Sequence, residues 1–436
     1  MEEICDFYIT ISKYYSITFP TICSLFCKKI SQLITQKDLY LELNDLIIKT
    51  IKKDCEDCKV LSTESSNVNG EITLIENESL KLDKYSSVSC LVDIISNLNN
   101  KDIIFKNYHK FLMIRLLNYT KAWTDSKDLS YHQEQLLSKK QFEKKLIGYL
   151  SKCFTNSQIY VLKKSILDFY NSYLLRIKFV EAINDYDRMC YRFNPMIISN
   201  NIWDLSILSN ETVLPSIVDN DRNVKVTKDS LLWMMHKYNS YFLSVFDKSR
   251  ILNWYLHIGR VEIKYNTMSG TSILILLPIQ SLILEQFEES EELTIDEIYQ
   301  FNFLNNYPQE EIINTMNIFV SNDLLLFDND IYKLNEKYSK DFLDLRKKYF
   351  QISRVLKDSI KNDEIKLCND RIDIVKSVIN SLVKKQKFNK DELYLECCSK
   401  ISVFELDIDL FEKSLDYLIS RDYIKNEDSI YQSLFY

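Results

Sequence analysis

Glycine and proline are nearly missing from this chain, with four Gly and five Pro in 436 residues. All-β folds built on tight turns use far more of both, and a phosphate-cradling loop needs its glycines close together. Gly70, Gly148, Gly259 and Gly270 stand far apart, so loop-based nucleotide chemistry is excluded and a mostly helical chain is expected. Histidine is equally scarce: His109, His132, His236 and His257 are isolated and lack metal-ligand spacing. The longest apolar run, Ile273 to Ile279, is broken by Pro278 and falls far short of the ~20 residues of a membrane span. A basic excess is missing too. Lys and Arg number 55 against 62 Asp and Glu, a formal charge of −7, which speaks against a dedicated binder of nucleic acid or anionic membrane.

The N-terminus, Met1-Glu-Glu-Ile-Cys-Asp6, lacks the basic-then-apolar layout of a secretory signal. Eleven scattered cysteines, an odd number, read as reduced thiols of a cytoplasmic and/or nuclear protein. The pairs nearest to zinc spacing, Cys23 with Cys27 and Cys55 with Cys58, fall in helix-like surroundings, so no metal and no cofactor are expected.

What the chain does have is helical periodicity, clearest near its end. Val375, Val378, Ile379, Leu382 and Val383 recur at the period of a half-buried helix, and Lys384 then projects from the opposite face. Asn389 with Glu392 has the form of a capping box opening a second helix. A third runs from about Asp407 to Ser420 with Phe411, Leu415, Leu418 and Ile419 on one side, and two short β-prone runs around Asn426-Glu-Asp428 read as a hairpin. Three helices and a hairpin make a winged helix. The unit occurs twice, because Val320–Tyr332 aligns without a gap on Ile419–Tyr431. Upstream of the first copy, Thr294 and Glu297 form a capping box and Pro308 occupies an expected first helical position.

The segment Asp370-Arg-Ile-Asp-Ile-Val-Lys-Ser-Val-Ile-Asn-Ser-Leu-Val-Lys384 resembles the cullin neddylation segment, whose helix ends in the lysine that receives a ubiquitin-like modifier. Phe411 to Ile424 resembles the cullin C-terminus. Further resemblances follow in the family's order. In Lys101–Leu117, residues Lys101, Asp102, Tyr108, Leu112, Arg115, Leu116 and Leu117 match a cullin signature, and Asn107 stands where an aromatic is usual. Phe193–Trp203 resembles a strand ending in tryptophan, with Asp204 in place of the usual proline. Tyr238–Ile263 resembles a further cullin stretch, Leu277–Phe287 resembles the segment that opens the first winged helix, and Leu345–Ser353 resembles a strand before a mobile linker.

The resemblance implies a mainly α architecture. Its parts would be a short N-terminal helical remnant with a polar loop (1–84), a helical bundle (85–190) and a small α/β domain (191–276). A first winged helix (277–355), a linker (356–369) and a second winged helix (370–436) would complete it. It further implies a scaffold of a cullin-RING-type ubiquitin ligase with no active site of its own. A RING-finger subunit would add a strand near Trp254, Val261, Glu262 and Ile263, carry a ubiquitin-conjugating enzyme, and serve modification at Lys384. A lysine opposite an apolar stripe is ordinarily a solvated face, and a β-prone run ordinarily a core strand; the resemblance singles these out. Cullins carry a long N-terminal stalk that binds substrate-receptor adaptors, and here the bundle begins near residue 85, so the resemblance leaves the substrate receptor or adaptor open.

Two other readings compete. One is a non-catalytic interaction subunit of a larger helical and winged-helix assembly. The other is a winged-helix nucleic-acid binder, which the acidic third helices oppose: Glu310 and Glu311 in the first copy, and Asp407, Asp409, Glu412 and Asp416 against Lys413 in the second. No nucleic acid and no membrane are expected as partners.

Overall fold

The computed structural model describes residues 20–37, 39–40, 42–43, 45–51, 87–120, 129–182, 192–203, 230–246, 250–268, 270–288, 290–304, 307–348, 360–427 and 430–434. The chain divides into two compact units. One combines Met1–Tyr170 with Lys361–Tyr436, and the other is Asn171–Ile360.

The bundle of the first unit contains α1 (Pro20–Gln36), α2 (Ser87–Ser96), α3 (Lys101–Tyr119), α4 (Leu129–Leu150) and the start of α5 (Asn156–Ala182). Helix α3 is buried on nearly every face: Ile104, Tyr108, Phe111, Leu112, Met113 and Leu116 are covered, but so are Asp102, His109, Lys110 and Arg115. A helix sunk this deeply must neutralise its charges within the fold. Arg115 is met by Glu143 of α4 in a two-pronged pair, Nε to Oε1 at 2.7 Å and Nη2 to Oε2 at 2.6 Å. The guanidinium also lies over the Phe111 ring, 4.6 Å from its centroid.

The C-terminal part of the same unit comprises α10 (Ile360–Val383), β7 (Phe388–Asn389), α11 (Lys390–Lys400), α12 (Ile408–Ser420), β8 (Ile424–Glu427) and β9 (Ile430–Ser433). Its sheet order is β7-β9-β8. Val375, Ile379, Leu382 and Val383 enter a core with Phe388, Leu393, Phe411, Leu415, Leu418, Ile424 and Tyr431. The expected capping box forms: Glu392 N donates to Asn389 Oδ1 at 2.8 Å, and Asn389 N to Glu392 Oε2 at 3.3 Å. Ten residues of the polar stretch 356–369 are helical, since α10 begins at Ile360.

The second unit holds the end of α5, α6 (Leu231–Val245), the strands β1 (Val261–Thr267) and β2 (Gly270–Leu276), and α7 (Pro278–Glu285). It continues through β3 (Glu292–Thr294), α8 (Ile295–Tyr299), α9 (Gln309–Ser321), β4 (Leu325–Asp328), β5 (Ile331–Leu334) and β6 (Phe342–Asp344). Strands β3, β5 and β4 repeat the three-stranded arrangement of the C-terminal module. Both copies place an aspartate at the same aligned position with positive φ, Asp323 at 64° and Asp422 at 57°. Each ends its helix in a Schellman motif. Leu324 N donates to Phe319 O and Tyr423 N to Leu418 O, both at 3.0 Å, with Asp323 N to Val320 O and Asp422 N to Ile419 O inside them.

One core runs through this unit without a break, from Phe179 and Tyr238 through Leu274, Leu276 and Leu282 to Ile312, Phe319 and Tyr332. Three local expectations shift. Pro308 is the N-cap rather than the first helical residue. Of the stretch 345–353, the described part is no strand: β6 ends at Asp344 and Leu345–Lys348 form a 3-10 turn, while 349–353 lie outside the described residues. The Phe193–Trp203 stretch forms no ladder, because side chains of α5 satisfy its backbone. Ile197 N donates to Ser172 Oγ at 2.8 Å, Ser172 Oγ to Ile197 O at 2.9 Å, and Arg176 Nε to Phe193 O at 3.4 Å.

The Arg115–Glu143 pair sets a stability prediction. Glu143→Ala leaves a buried guanidinium without its counter-charge and costs about 3–5 kcal/mol, whereas replacing both partners by apolar residues of similar volume is near neutral. Urea unfolding followed by circular dichroism measures both. Gly259 sets a second. Its φ is +141°, and a Cβ there would meet Pro278 Cγ at 2.9 Å, so Gly259→Ala strains the entry to β1. It should lower stability by roughly 1–3 kcal/mol, read in the same assay.

Candidate functional site

Lys384 sits in the turn that closes α10. Its amide donates to Asn380 O at 3.3 Å, and Lys385 N donates to Leu382 O at 2.9 Å, so the backbone around it is held. The apolar stripe of α10 faces the module core, leaving the Lys384 side chain exposed. Its neighbours divide into two groups. Lys376 Nζ lies 3.3 Å from Asp373 Oδ1 and 3.7 Å above the Tyr417 ring, and Lys390 Nζ meets Glu412 Oε1 at 2.5 Å. Lys384, Lys385 and Lys387 are exposed and make no side-chain ion pair among the described residues. An amine that attacks an acyl group must present a free lone pair along an open approach. Exposure is shared by Lys400 and Lys413 of the same module, so geometry alone does not select an acceptor; Lys384 is the exposed lysine joined directly to the end of α10.

The second element is a strand edge. β1 pairs antiparallel with β2 from Val261↔Leu276 to Thr267↔Gly270, and β2 pairs parallel with β6. In the order β1-β2-β6, the far side of β1 has no strand partner among the described residues. An edge of this kind presents backbone donors and acceptors to an incoming strand. Val261 and Ile263 are half-buried toward the core, while Glu262 is exposed. The Glu262 carboxylate accepts from Arg260 Nη2 at 3.0 Å.

Trp254 is not on that strand. Its ring packs against Phe193 (centroids 6.0 Å apart) and Tyr238 (6.3 Å), in an aromatic cluster that supports the sheet from beneath. The structure thus brings Val261, Glu262 and Ile263 together and gives Trp254 a packing position. It adds residues that periodicity did not single out. Lys264, Ile273 and Phe342 align across the three strands on the outer face, where Ile273 and Phe342 are both exposed. Met268, in the β1–β2 turn, is 84% exposed. The unbroken apolar look of Ile273–Leu277 gave no sign that Ile273 is exposed while the four residues after it are buried, and Phe342 reaches the sheet only through a long-range parallel pairing.

Among the described residues no group of three or more His, Cys, Asp and Glu could hold a metal ion. Cys23 and Cys27 are buried and form no disulfide, and Cys55 and Cys58 lie outside the described residues. His257 is half-buried with its ring edge-on to Tyr307 (centroids 4.6 Å apart), and its Nε2 lies 3.0 Å from Glu311 Oε2. Among the described residues no helix is long and apolar enough to cross a membrane.

No family model matches the chain. Among curated proteins, it is 21% identical over 383 residues to cullin-2 of Arabidopsis thaliana, an alignment that covers 85% of this chain and 46% of that protein. The chain therefore spans about half the length of the curated relative it matches. Low identity sustained along most of the chain supports a cullin-like relationship.

Proposed function

We propose that the chain is the scaffold of a RING-type ubiquitin ligase. The observation that carries the reading is the similarity to a cullin along 85% of the chain. The free edge of β1 and the exposed lysine closing α10 are consistent with it. In this reading an extended arm of a RING-finger subunit adds a strand to β1, with Val261, Glu262 and Ile263 setting the register and Trp254 bracing the sheet. The RING subunit recruits a ubiquitin-conjugating enzyme, and the scaffold raises the local concentration of its thioester near a target lysine. The chain itself performs no bond chemistry on substrates.

Lys384 is proposed as the acceptor of a ubiquitin-like modifier. The neutral amine attacks the thioester carbonyl carbon, an isopeptide C–N bond forms, the C–S bond breaks, and the conjugating enzyme's cysteine leaves as thiolate while the amine nitrogen loses its proton. Modification repositions the C-terminal winged helix and extends the reach of the RING subunit. The domain boundaries expected from the sequence, and a place in the cytoplasm and/or nucleus, belong to the same reading.

The test is a pull-down of the purified chain with a RING-finger subunit, followed by modifier transfer to wild type and Lys384→Arg. Binding together with a single modification lost in the variant is expected. Binding with modification retained would reject Lys384 as the acceptor. Absence of binding would reject the ligase scaffold and favour an interaction subunit of a larger assembly.

A further inference from the structure

The two winged helices differ along one edge. In the first, the sheet order β3-β5-β4 leaves the far side of β4 without a strand partner among the described residues. β4 runs Leu325-Leu-Phe-Asp328, and only its first residue is buried: Leu326 is 52% exposed and Phe327 50%. An apolar pair on an open edge invites a further strand, and such edges are ordinarily guarded by lysine or another polar residue. The second winged helix is guarded in this way. Its β8 holds the same place in the order β7-β9-β8, and the ungapped alignment sets Lys425 and Asn426 where the first copy has Leu326 and Phe327. The fold therefore does not require apolar residues at these two positions.

Register divides the edge into two faces. Glu292 pairs with Lys333 and Lys333 with Leu326, so these three form a row across the outer face, with Asp328 on the same side of β4 as Leu326. In that row the Lys333 ammonium meets the Glu292 carboxylate. On the other face Phe327 lies against Tyr332, ring centroids 4.6 Å apart. Asn329 and Asp330 turn the chain from β4 to β5 with φ of 51° and 63°, the backbone of a tight two-residue hairpin. The surroundings are strongly acidic. From Gln286 to Glu336 twelve Asp and Glu stand against a single basic residue, Lys333, which is already paired. This stretch carries more negative charge than the chain as a whole, whose formal charge is −7.

We propose that β4 is a docking edge of its own, which takes an extended, basic segment of a partner protein as a further strand of the first winged helix. Backbone groups of that segment pair with the open side of β4. Its alternate side chains fall on the two faces. Apolar ones cover Phe327, while lysines lay their stems over Leu326 and carry their ammonium groups to Asp328. The row Glu292, Lys333, Leu326 is the same arrangement one strand further in. Charge selects the occupant: two copies of so acidic an edge repel each other, as would a nucleic-acid backbone, whereas a cationic strand is attracted. β4 belongs to a different sheet from β1, so this inference needs nothing from the RING-subunit reading.

The probe is a synthetic peptide of alternating lysine and valine, about seven residues long so that it spans an ordinary strand. Fluorescence anisotropy with the full chain measures its binding, and amide hydrogen exchange locates the contact. One control peptide carries glutamate in place of lysine; another keeps the sequence but has alternate amides N-methylated, which preserves charge and removes donors. The lysine–valine peptide should bind and slow exchange within Leu325–Asp328 while Val261–Thr267 stays unchanged, and both controls should bind about tenfold more weakly or worse. Leu326→Lys combined with Phe327→Asn, which copies the second winged helix, should weaken binding by about tenfold with an unaltered circular dichroism spectrum. Asp328→Asn combined with Asp330→Asn keeps a residue that tolerates positive φ. It should weaken binding several-fold at about 0.01 M salt and match wild type at about 1 M, where charges are screened. Equal binding by the N-methylated peptide would overturn the proposal, since charge alone would then explain the attraction. So would no binding, undiminished binding to the Leu326→Lys, Phe327→Asn variant, or protection that falls on β1 instead. A dimer of the free chain that this variant abolishes would overturn it in favour of a second copy as the occupant.

Discussion

Helix α3 carries a buried charge near each of its ends. Asp102 at its first turn is 7% exposed and Arg115 near its last is 9% exposed, and much of the first unit is arranged to neutralise them. Glu143 brings α4 against one end of the helix, and Arg371 brings α10 against the other. The two solutions differ in kind. Arg115 and Glu143 are both sunk in the bundle, where each offsets the other's buried charge, so they lock the helices together. Asp102 and Arg371 sit at an end of α3 that water can reach, and they join the bundle to a module whose core is complete without it.

The two winged helices show what local sequence decides and what it does not. They share element order, sheet order, capping boxes and a Schellman turn built on an aspartate with positive φ. Yet one is merged with the sheet region and the other stands alone. The difference arises at their first helices. α7 is short and follows β2 directly, and Ile279, Leu282, Ile283 and Leu284 are all buried in the shared core. α10 runs from Ile360 and lends only its C-terminal half, from Val375 on, to the module core. Its upstream half carries Arg371 to the bundle and leaves Lys384 at the outer end.

Much of this was legible in the chain. The stripe Val375, Ile379, Leu382, Val383, both capping boxes and the ungapped repeat Val320–Tyr332 on Ile419–Tyr431 rest on interactions within a few residues, and periodicity records them directly. Lys384 could be placed on an exposed face for the same reason. What escaped were pairings across long stretches of chain. Asp102 and Arg371 are 269 residues apart, and nothing local marks them as partners. β6 enters its sheet by parallel pairing at Ile273↔Phe342, and three residues are too few to carry an alternation. Trp254 reads like part of the neighbouring strand because only the fold brings Phe193 and Tyr238 beneath it. The anchoring of Lys376 to the Tyr417 ring and of Lys390 to Glu412 also depends on α12 arriving alongside.

In the proposed function, a RING-finger subunit adds a strand to the open edge of β1. Backbone amide exchange across Val261–Thr267, measured with and without a RING subunit, tests it most directly. Strand addition predicts protection at alternate residues of β1, where donors on the free edge gain partners, while amides already bonded to β2 change little. A bound RING subunit that left every β1 amide exchanging as in the free chain would contradict it.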